Sequence, residues 1–406
     1  LIKPMRCSQD LLRRAAKNQL LLSNNLKEEA LMSRSFAVFL LIFFLYAPAH
    51  AESVMQTAAK QAIVIDYDTG TVLLEKNSDE KMPTSSMSKV MTAYMIFDAL
   101  KRGQLSLDQQ LMVSEKAWKM EGSKMFIEVG KQIKVEDLIR GVIIQSGNDA
   151  TVVLAEGLAG SEDVFAQNMT KKAHELGMTS SNFKNASGWP DPDHYSTARD
   201  LSTMAKSLIH EFPDYYKYYS EKEFTYNNIK QGNRNPLLYL NIGADGIKTG
   251  HTEAAGYGLI GSGTSNGRRV IFVINGLKDE KERAAEGAKL LEWGLKNFEN
   301  KKLFKENSAV ANAAVAMGSA KSVPLVVKDT FAVTLPTAAA RNFKATVNYK
   351  EPLIAPVQQG QEVGSVLVEI PHAEPMKIPL YAGADVPKLG IFAGALEKAR
   401  RLATGS

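Results

Sequence analysis

Two hydrophobic periods alternate along this chain and divide it. Short β-rich runs at 61–66 and 71–75 flank Asp68-Thr69-Gly70, which predicts a β-hairpin. From Pro83 the spacing changes. Met87, Val90, Met91, Tyr94 and Met95 recur at three- and four-residue steps, Pro83 and Thr84 suit a helix start, and Gly103 is the stop after Lys101 and Arg102. Helical spacing continues over 137–144 and 150–158, split by a loop at 145–149, and then over 161–176 and 197–212, ended by Gly177 and Pro213. β-Rich character returns at 257–261 and 268–274 around a turn at 263–267, before an amphipathic helix over 280–298. Strands at both ends of a helical middle predict an α/β fold of the α+β kind. One antiparallel sheet is closed by the first and last segments, and a cleft between it and a helical cluster is the natural site.

Beyond residue 303 the texture is different. Val-, Thr- and Phe-rich runs at 323–327, 331–335, 343–349, 364–370 and 376–381 alternate with prolines and glycines, predicting a small all-β domain over 303–386. No titratable cluster in it reads as catalytic, so a spacer or docking role is expected. Helical period resumes over 387–406. Leu389, Ile391, Phe392, Ala395, Leu396, Ala399 and Leu402 share one broad side, and Lys388, Glu397, Lys398 and Arg401 lie largely opposite. Such a basic amphipathic helix can lie in the headgroup layer of an anionic membrane, or pack on its own domain.

The first residues change the charge balance. Ser33-Arg34-Ser35 precedes an apolar run at 36–47, and Ala49-His50-Ala51 matches the small-x-small pattern before a signal-peptidase cut. Residues 1–51 therefore read as an N-terminal extension and cleaved export signal, with Glu52 opening the mature chain and Met32 the expected translation start. That segment carries seven Lys or Arg and three Asp or Glu, so its removal lowers the net charge from +5 to +1. The basic balance then argues for no nucleic-acid partner. Cys7, the sole cysteine, leaves with it, excluding disulfides and thiol catalysis. An exported protein follows, with a catalytic unit at 52–302.

Chemistry enters at Ser86 and Lys89. Side chains three apart on a helix are neighbours at roughly 5–6 Å between Cβ atoms, so the Lys89 amine can reach the Ser86 hydroxyl. A hydroxyl needs a base to become a nucleophile, and lysine serves only as the free amine, so its pKa must fall from about 10.4 toward 7 through burial or adjacent positive charge. The spacing alone is weak, because Ser181-Asn182-Phe183-Lys184 repeats it. Two later motifs add weight: Ser146-Gly147-Asn148 in the 145–149 loop, and Lys248-Thr249-Gly250-His251. Ser180-Ser181-Asn182 shows that Ser-x-Asn is common, whereas Lys-Thr-Gly occurs once.

In this order, after an export signal, the three motifs resemble those of penicillin-binding proteins and class A β-lactamases. With Ile139-Arg140-Gly141, Gln145 to Ala150, Asn233-Arg234-Asn235 and Asp245 to His251, the chain is similar to the low-molecular-mass penicillin-binding proteins, the serine D-alanyl-D-alanine carboxypeptidases of peptidase family S11. The resemblance spans residues 58–298, and the β domain and terminal helix by architecture. It implies that Ser86 attacks the bond between two D-alanines, forming an acyl-enzyme, and that Lys89 is the base, kept neutral by burial and by Lys248. It further implies that Ser146 relays the proton and that Asn148 holds the substrate amide and Lys89. Lys248, Thr249 and Arg234 would bind the terminal carboxylate, and the main chain of Ser86 and His251, beyond Gly250, would line the oxyanion hole. Arg283 is a weaker carboxylate candidate, because a solvated position would explain it equally well.

The partners so implied are peptidoglycan stem peptides, β-lactams and, through the terminal helix, the periplasmic face of the inner membrane. A β-lactamase would carry Asp in the middle of the second motif, but Gly147 stands there. A D,D-endopeptidase and a non-catalytic β-lactam sensor remain alternatives. No cofactor is implied. The six histidines are scattered without a His-Glu-x-x-His pattern, so no metal site is expected.

Overall fold

The computed structural model describes residues 55–338, 343–369 and 375–404. The export segment at 1–51, its cleavage point and the start at Met32 lie outside the described residues. Strand β1 (Gln61–Asp66) is buried along its whole length and pairs with β2 (Val72–Lys76) as the predicted hairpin. A four-residue 3-10 turn, Ser85–Ser88, then leads into helix α1 (Lys89–Lys101). The regular helix thus starts at Lys89, six residues after Pro83, and Ser86 sits in the tighter turn before it. Ten of the thirteen α1 residues are buried, so this helix is wrapped by neighbours on nearly every side.

Helices α2 (Glu115–Lys119), α3 (Val135–Ile143), α4 (Asn148–Ala159), α5 (Glu162–Glu175), α6 (Ala198–Glu211) and the one-turn α7 (Pro213–Tyr216) complete the helical cluster. Side-chain caps fix several starts: Ser161 accepts from the Val164 N–H, and Thr197 accepts from the Asp200 N–H. Phe97, Phe165, Phe212 and Tyr218 are fully buried within the shared core. Two short antiparallel strand pairs escape hydrophobic pattern reading. One joins β3 (Gln110–Met112) to β4 (Gln132–Lys134), and the other joins β5 (Glu223–Tyr226) to β6 (Ile229–Gly232). Both are largely polar and exposed, so alternation marks them poorly.

Strands β7 (Ala244–Thr252), β8 (Gly256–Ser265) and β9 (Arg268–Leu277) complete the main sheet, and α8 (Glu280–Lys296) covers it. The order β2-β1-β9-β8-β7 is antiparallel throughout, with Val64 opposite Phe272 and Lys248 opposite Ile260. The first and last segments of this unit are therefore sheet neighbours, as the sequence predicts.

A β-rich module follows. Strand β10 (Phe298–Phe304) pairs with β13 (Phe331–Pro336). A six-stranded sheet contains β11 (Ala309–Ala316), β12 (Ser322–Val326), β14 (Lys344–Tyr349), β15 (Leu353–Ile354), β16 (Glu362–Glu369) and β17 (Met376–Ala382). Its core gathers Leu325, Leu335, Val366, Val368 and Leu380. A polar seam ties it to the main sheet. Arg268 pairs with buried Asp66 at 2.7 Å and donates to the carbonyls of Gly294 and Phe298, while Asn300 Nδ2 reaches Asp66 at 3.1 Å. Helix α9 (Ile391–Thr404) begins four residues later than the periodicity predicts. Leu389 lies outside it, and its N–H donates to the Met317 carbonyl, which anchors the chain to the β module first. Among the described residues no helix is long and apolar enough to cross a membrane.

Candidate active site

The turn that carries Ser86 is built from below. Lys184 N–H donates to His194 Nδ1 at 3.2 Å, so the other ring nitrogen, Nε2, carries the proton and donates to Ser88 Oγ at 2.7 Å. Ser88 passes the chain on to Thr84 Oγ1 at 2.5 Å. This buried relay braces the 3-10 turn and leaves Ser86 half-buried at its surface. Lys89, one turn on and 1% exposed, donates to three oxygens: Ser86 Oγ at 2.9 Å, Asn148 Oδ1 at 2.7 Å and the Ser187 carbonyl at 2.6 Å. The predicted Ser86–Lys89 contact is thus present, and the amine is aimed rather than free to swing.

The second and third motifs reach the same cleft from different elements. Ser146 is buried and takes a left-handed conformation, φ 59°, at the end of the turn before α4. Asn148, expected in a loop, is instead the first residue of α4. Its Nδ2 donates to the Glu121 carbonyl at 2.7 Å, which turns Oδ1 toward Lys89. Lys248, Thr249, Gly250 and His251 all lie on β7, the edge strand of the main sheet. Gly250 permits a close approach there, since a Cβ at that position would lie 2.9 Å from the Thr84 carbonyl oxygen and 3.0 Å from Met87 Cγ. The strand can therefore lie flat against the Ser86 turn. His251 is exposed, with its ring stacked on Tyr257 at 3.9 Å.

Positive charge gathers around this cleft. Burial is the main cause that pushes the Lys89 ammonium down from 10.5 to about 7, and Arg234 is the strongest charge acting in the same direction, opposed by Asp149 and Glu162. The expectation named Lys248 as that neighbour; on Lys89 the larger influence is Arg234. Burial also pushes Lys248 well below its ordinary range, followed by Lys89, Arg234 and Arg283. The neighbouring positive charges thus disfavour protonation of Lys248 further. Arg234, on the rim, donates from Nη1 to Ser123 Oγ at 2.5 Å. Arg283 is 6% exposed, lies within α8 and stacks over Tyr257 at 5.5 Å. It is therefore not the solvated arginine that its sequence position also allows.

Pattern reading missed several members. Ser187 contributes only a carbonyl, held by an Asx turn in which Asn185 Oδ1 accepts from the N–H groups of Ser187, Gly188 and Trp189. Asn-x-Ser-Gly signals such a turn but not its place beside Lys89. Ser123 and His194 have no local signature. The rival spacing is excluded by burial: Ser181 Oγ bonds Ser196 and Asp200 in the interior, while Lys184 is exposed. Among the described residues no group of three or more His, Cys, Asp or Glu side chains could hold a metal ion.

Comparison with known proteins fits this geometry. A family model described as D-alanyl-D-alanine carboxypeptidase matches residues 48–279, and one for the C-terminal domain of penicillin-binding protein 5 matches 298–388. D-alanyl-D-alanine carboxypeptidase DacC of Escherichia coli is 38% identical over 88% of this chain and 93% of its own length. The crystal structure of penicillin-binding protein 5 from Haemophilus influenzae superposes with a TM-score of 0.76 at 37% identity, covering 82% of this chain and 99% of that one. Penicillin-binding protein D2 of Listeria monocytogenes, solved in a cefotaxime-bound form, covers 59% of this chain and 98% of its own at a TM-score of 0.55 and 31% identity. The chain belongs to the D-alanyl-D-alanine carboxypeptidase family, the low-molecular-mass penicillin-binding proteins of peptidase family S11.

Proposed function

We propose that this protein is a serine D,D-carboxypeptidase that removes the terminal D-alanine from peptidoglycan pentapeptide stems and is acylated at Ser86 by β-lactams. The observation that carries this reading is the Lys89 amine, 2.9 Å from Ser86 Oγ, held on three oxygens and pushed down to about 7. As a free amine, Lys89 takes the Ser86 proton as Oγ attacks the carbonyl carbon between the two D-alanines. Oxygen charge develops against the backbone N–H groups of Ser86 and His251, and one such donor is worth about 2.7–4 kcal/mol in the transition state. Collapse breaks the C–N bond. The proton travels from Lys89 through the Ser146 hydroxyl to the departing D-alanine nitrogen, and water then cleaves the ester with Lys89 again as base.

Thr249, Lys248 and Arg234 receive the terminal carboxylate, with Arg283 adding positive potential; a guanidinium offers paired donors matched to such a group. Asn148 holds both Lys89 and the substrate amide. The β module acts as a spacer. Helix α9 attaches the enzyme to the periplasmic face of the inner membrane, a reading supported by Ile391 and Phe392, which are 90% and 93% exposed. Removal of 391–404 should abolish co-sedimentation with anionic vesicles.

The test of the activity is D-alanine release from a soluble acyl-D-alanyl-D-alanine peptide, with Ser86→Ala alongside. Release that is lost in the variant supports the reading. If folded wild-type protein releases none but cleaves crosslinked dimers, the endopeptidase reading replaces it, and a stable penicillin adduct without turnover of either peptide points to a sensor.

A further inference from the structure

Asp149 follows Asn148 in α4 and is fully buried, yet among the described residues no cation pairs with it. Its carboxylate is instead saturated by main-chain donors. Oδ1 accepts from the N–H groups of Met125 at 2.8 Å and Ala150 at 2.9 Å. Oδ2 accepts from Met125, Phe126 and Ile127 at 3.0, 2.9 and 3.4 Å. Three consecutive amides converging on one anion form a nest, and Phe126 at its centre takes a left-handed φ of 64°, unusual for an aromatic residue. Room for the carboxylate comes from Gly147, where a Cβ would stand 2.8 Å from Asp149 Oδ1 and 3.1 Å from the Met125 nitrogen.

The segment so gripped, residues 120–131, contains no helix or strand. Three of its other contacts face the cleft, while others tie it to Val113, Trp118 and Gln231. The Glu121 carbonyl accepts from Asn148 Nδ2, the Ser123 carbonyl accepts from the Asn148 N–H at 2.7 Å, and Ser123 Oγ accepts from Arg234. The orientation of Asn148 and the resting place of Arg234 thus depend on a strap with no secondary structure of its own.

Resting on the carboxypeptidase reading, we infer that Asp149 is a positioning residue: its carboxylate pins the 121–127 strap, which in turn sets Arg234 for the substrate carboxylate and Asn148 for the substrate amide. It touches no reacting atom. Asp149→Asn is nearly isosteric, but its amide nitrogen would confront N–H donors where an oxygen now accepts, and the strap would be released.

The experiment measures kcat and KM for an acyl-D-alanyl-D-alanine peptide with wild type, Asp149→Asn, Arg234→Gln and the double variant. The expected result is a KM raised on the order of 10-fold in Asp149→Asn with kcat changed less, and a double variant whose loss falls short of the product of the two single losses, because Arg234 is one of the two groups that Asp149 sets. An unchanged KM, or losses that simply multiply in the double variant, would overturn the inference. Should Asp149→Asn fail to fold, amide exchange in the wild type decides. Protection of Met125, Phe126 and Ile127 matching that of α4 supports the anchor, and exchange at the rate of open loops sinks it. Absence of D-alanine release from wild type would instead remove the parent reading, while the exchange data still judge the anchor.

Discussion

Acylation of Ser86 should follow the ionisation of one buried amine. Lys89 is pushed from 10.5 to about 7, first by burial and then by the Arg234 charge. That displacement corresponds to roughly 5 kcal/mol of preference for the neutral amine. For a base with a pKa of about 7, roughly 3% is neutral at 1.5 pH units below that value and roughly 97% at 1.5 units above, so the rate should rise about 30-fold across the window. The assay is the second-order rate constant for acylation by a reporter penicillin, which reads the free enzyme and whose own carboxylate stays ionised throughout. Arg234→Gln, by removing the cation, should move the rising limb to higher pH. Lys89→Arg retains charge but cannot give up a proton, and should abolish acylation in a folded protein. A flat profile, or normal acylation by that variant, would refute the assignment of Lys89 as base.

Three further outcomes follow from the same structure. Because the folded chain favours neutral Lys89, the unfolded chain binds a proton that the folded one refuses between pH 10.5 and about 7, so stability falls across that interval as pH drops and levels below it. Lys89→Met should therefore gain stability relative to wild type over that same interval, read from urea midpoints. Burial, the main cause, pushes His194 from 6.5 to about 4, so stability should decline as pH falls from 6.5 toward 4, by roughly 3 kcal/mol if the shift is fully realised. His194→Gln should flatten that acid limb. Arg268→Met leaves Asp66 buried without its partner and should cost about 3–5 kcal/mol, measured by denaturant unfolding.

Legibility followed the range of the interactions. The hairpin at β1 and β2, helices α5, α6 and α8 and the antiparallel pair β8 and β9 carry strong periods and turn residues, so they can be read directly. Strand β10 escaped because Phe-Glu-Asn-Lys-Lys-Leu-Phe is mostly polar, and β11 because its alanines have little β propensity; both are strands through the partners they pair with. At the site, Ser86 and Lys89 were legible as neighbours because three residues span about one helical turn, whatever surrounds them.

What the sequence by itself determined, then, is the local chemistry: a serine with an amine one turn away, a Ser-Gly-Asn turn, a Lys-Thr-Gly-His segment and the hydrophobic periods that build sheet and helices. Only the tertiary structure decided that these become one site. Residues 89, 148, 187 and 248 meet through sheet closure and helix packing, and the burial of Lys89 brings an ordinary ammonium down to about 7, with Arg234 adding to it. Desolvation and Coulomb interactions act through space, so no spacing along the chain encodes them.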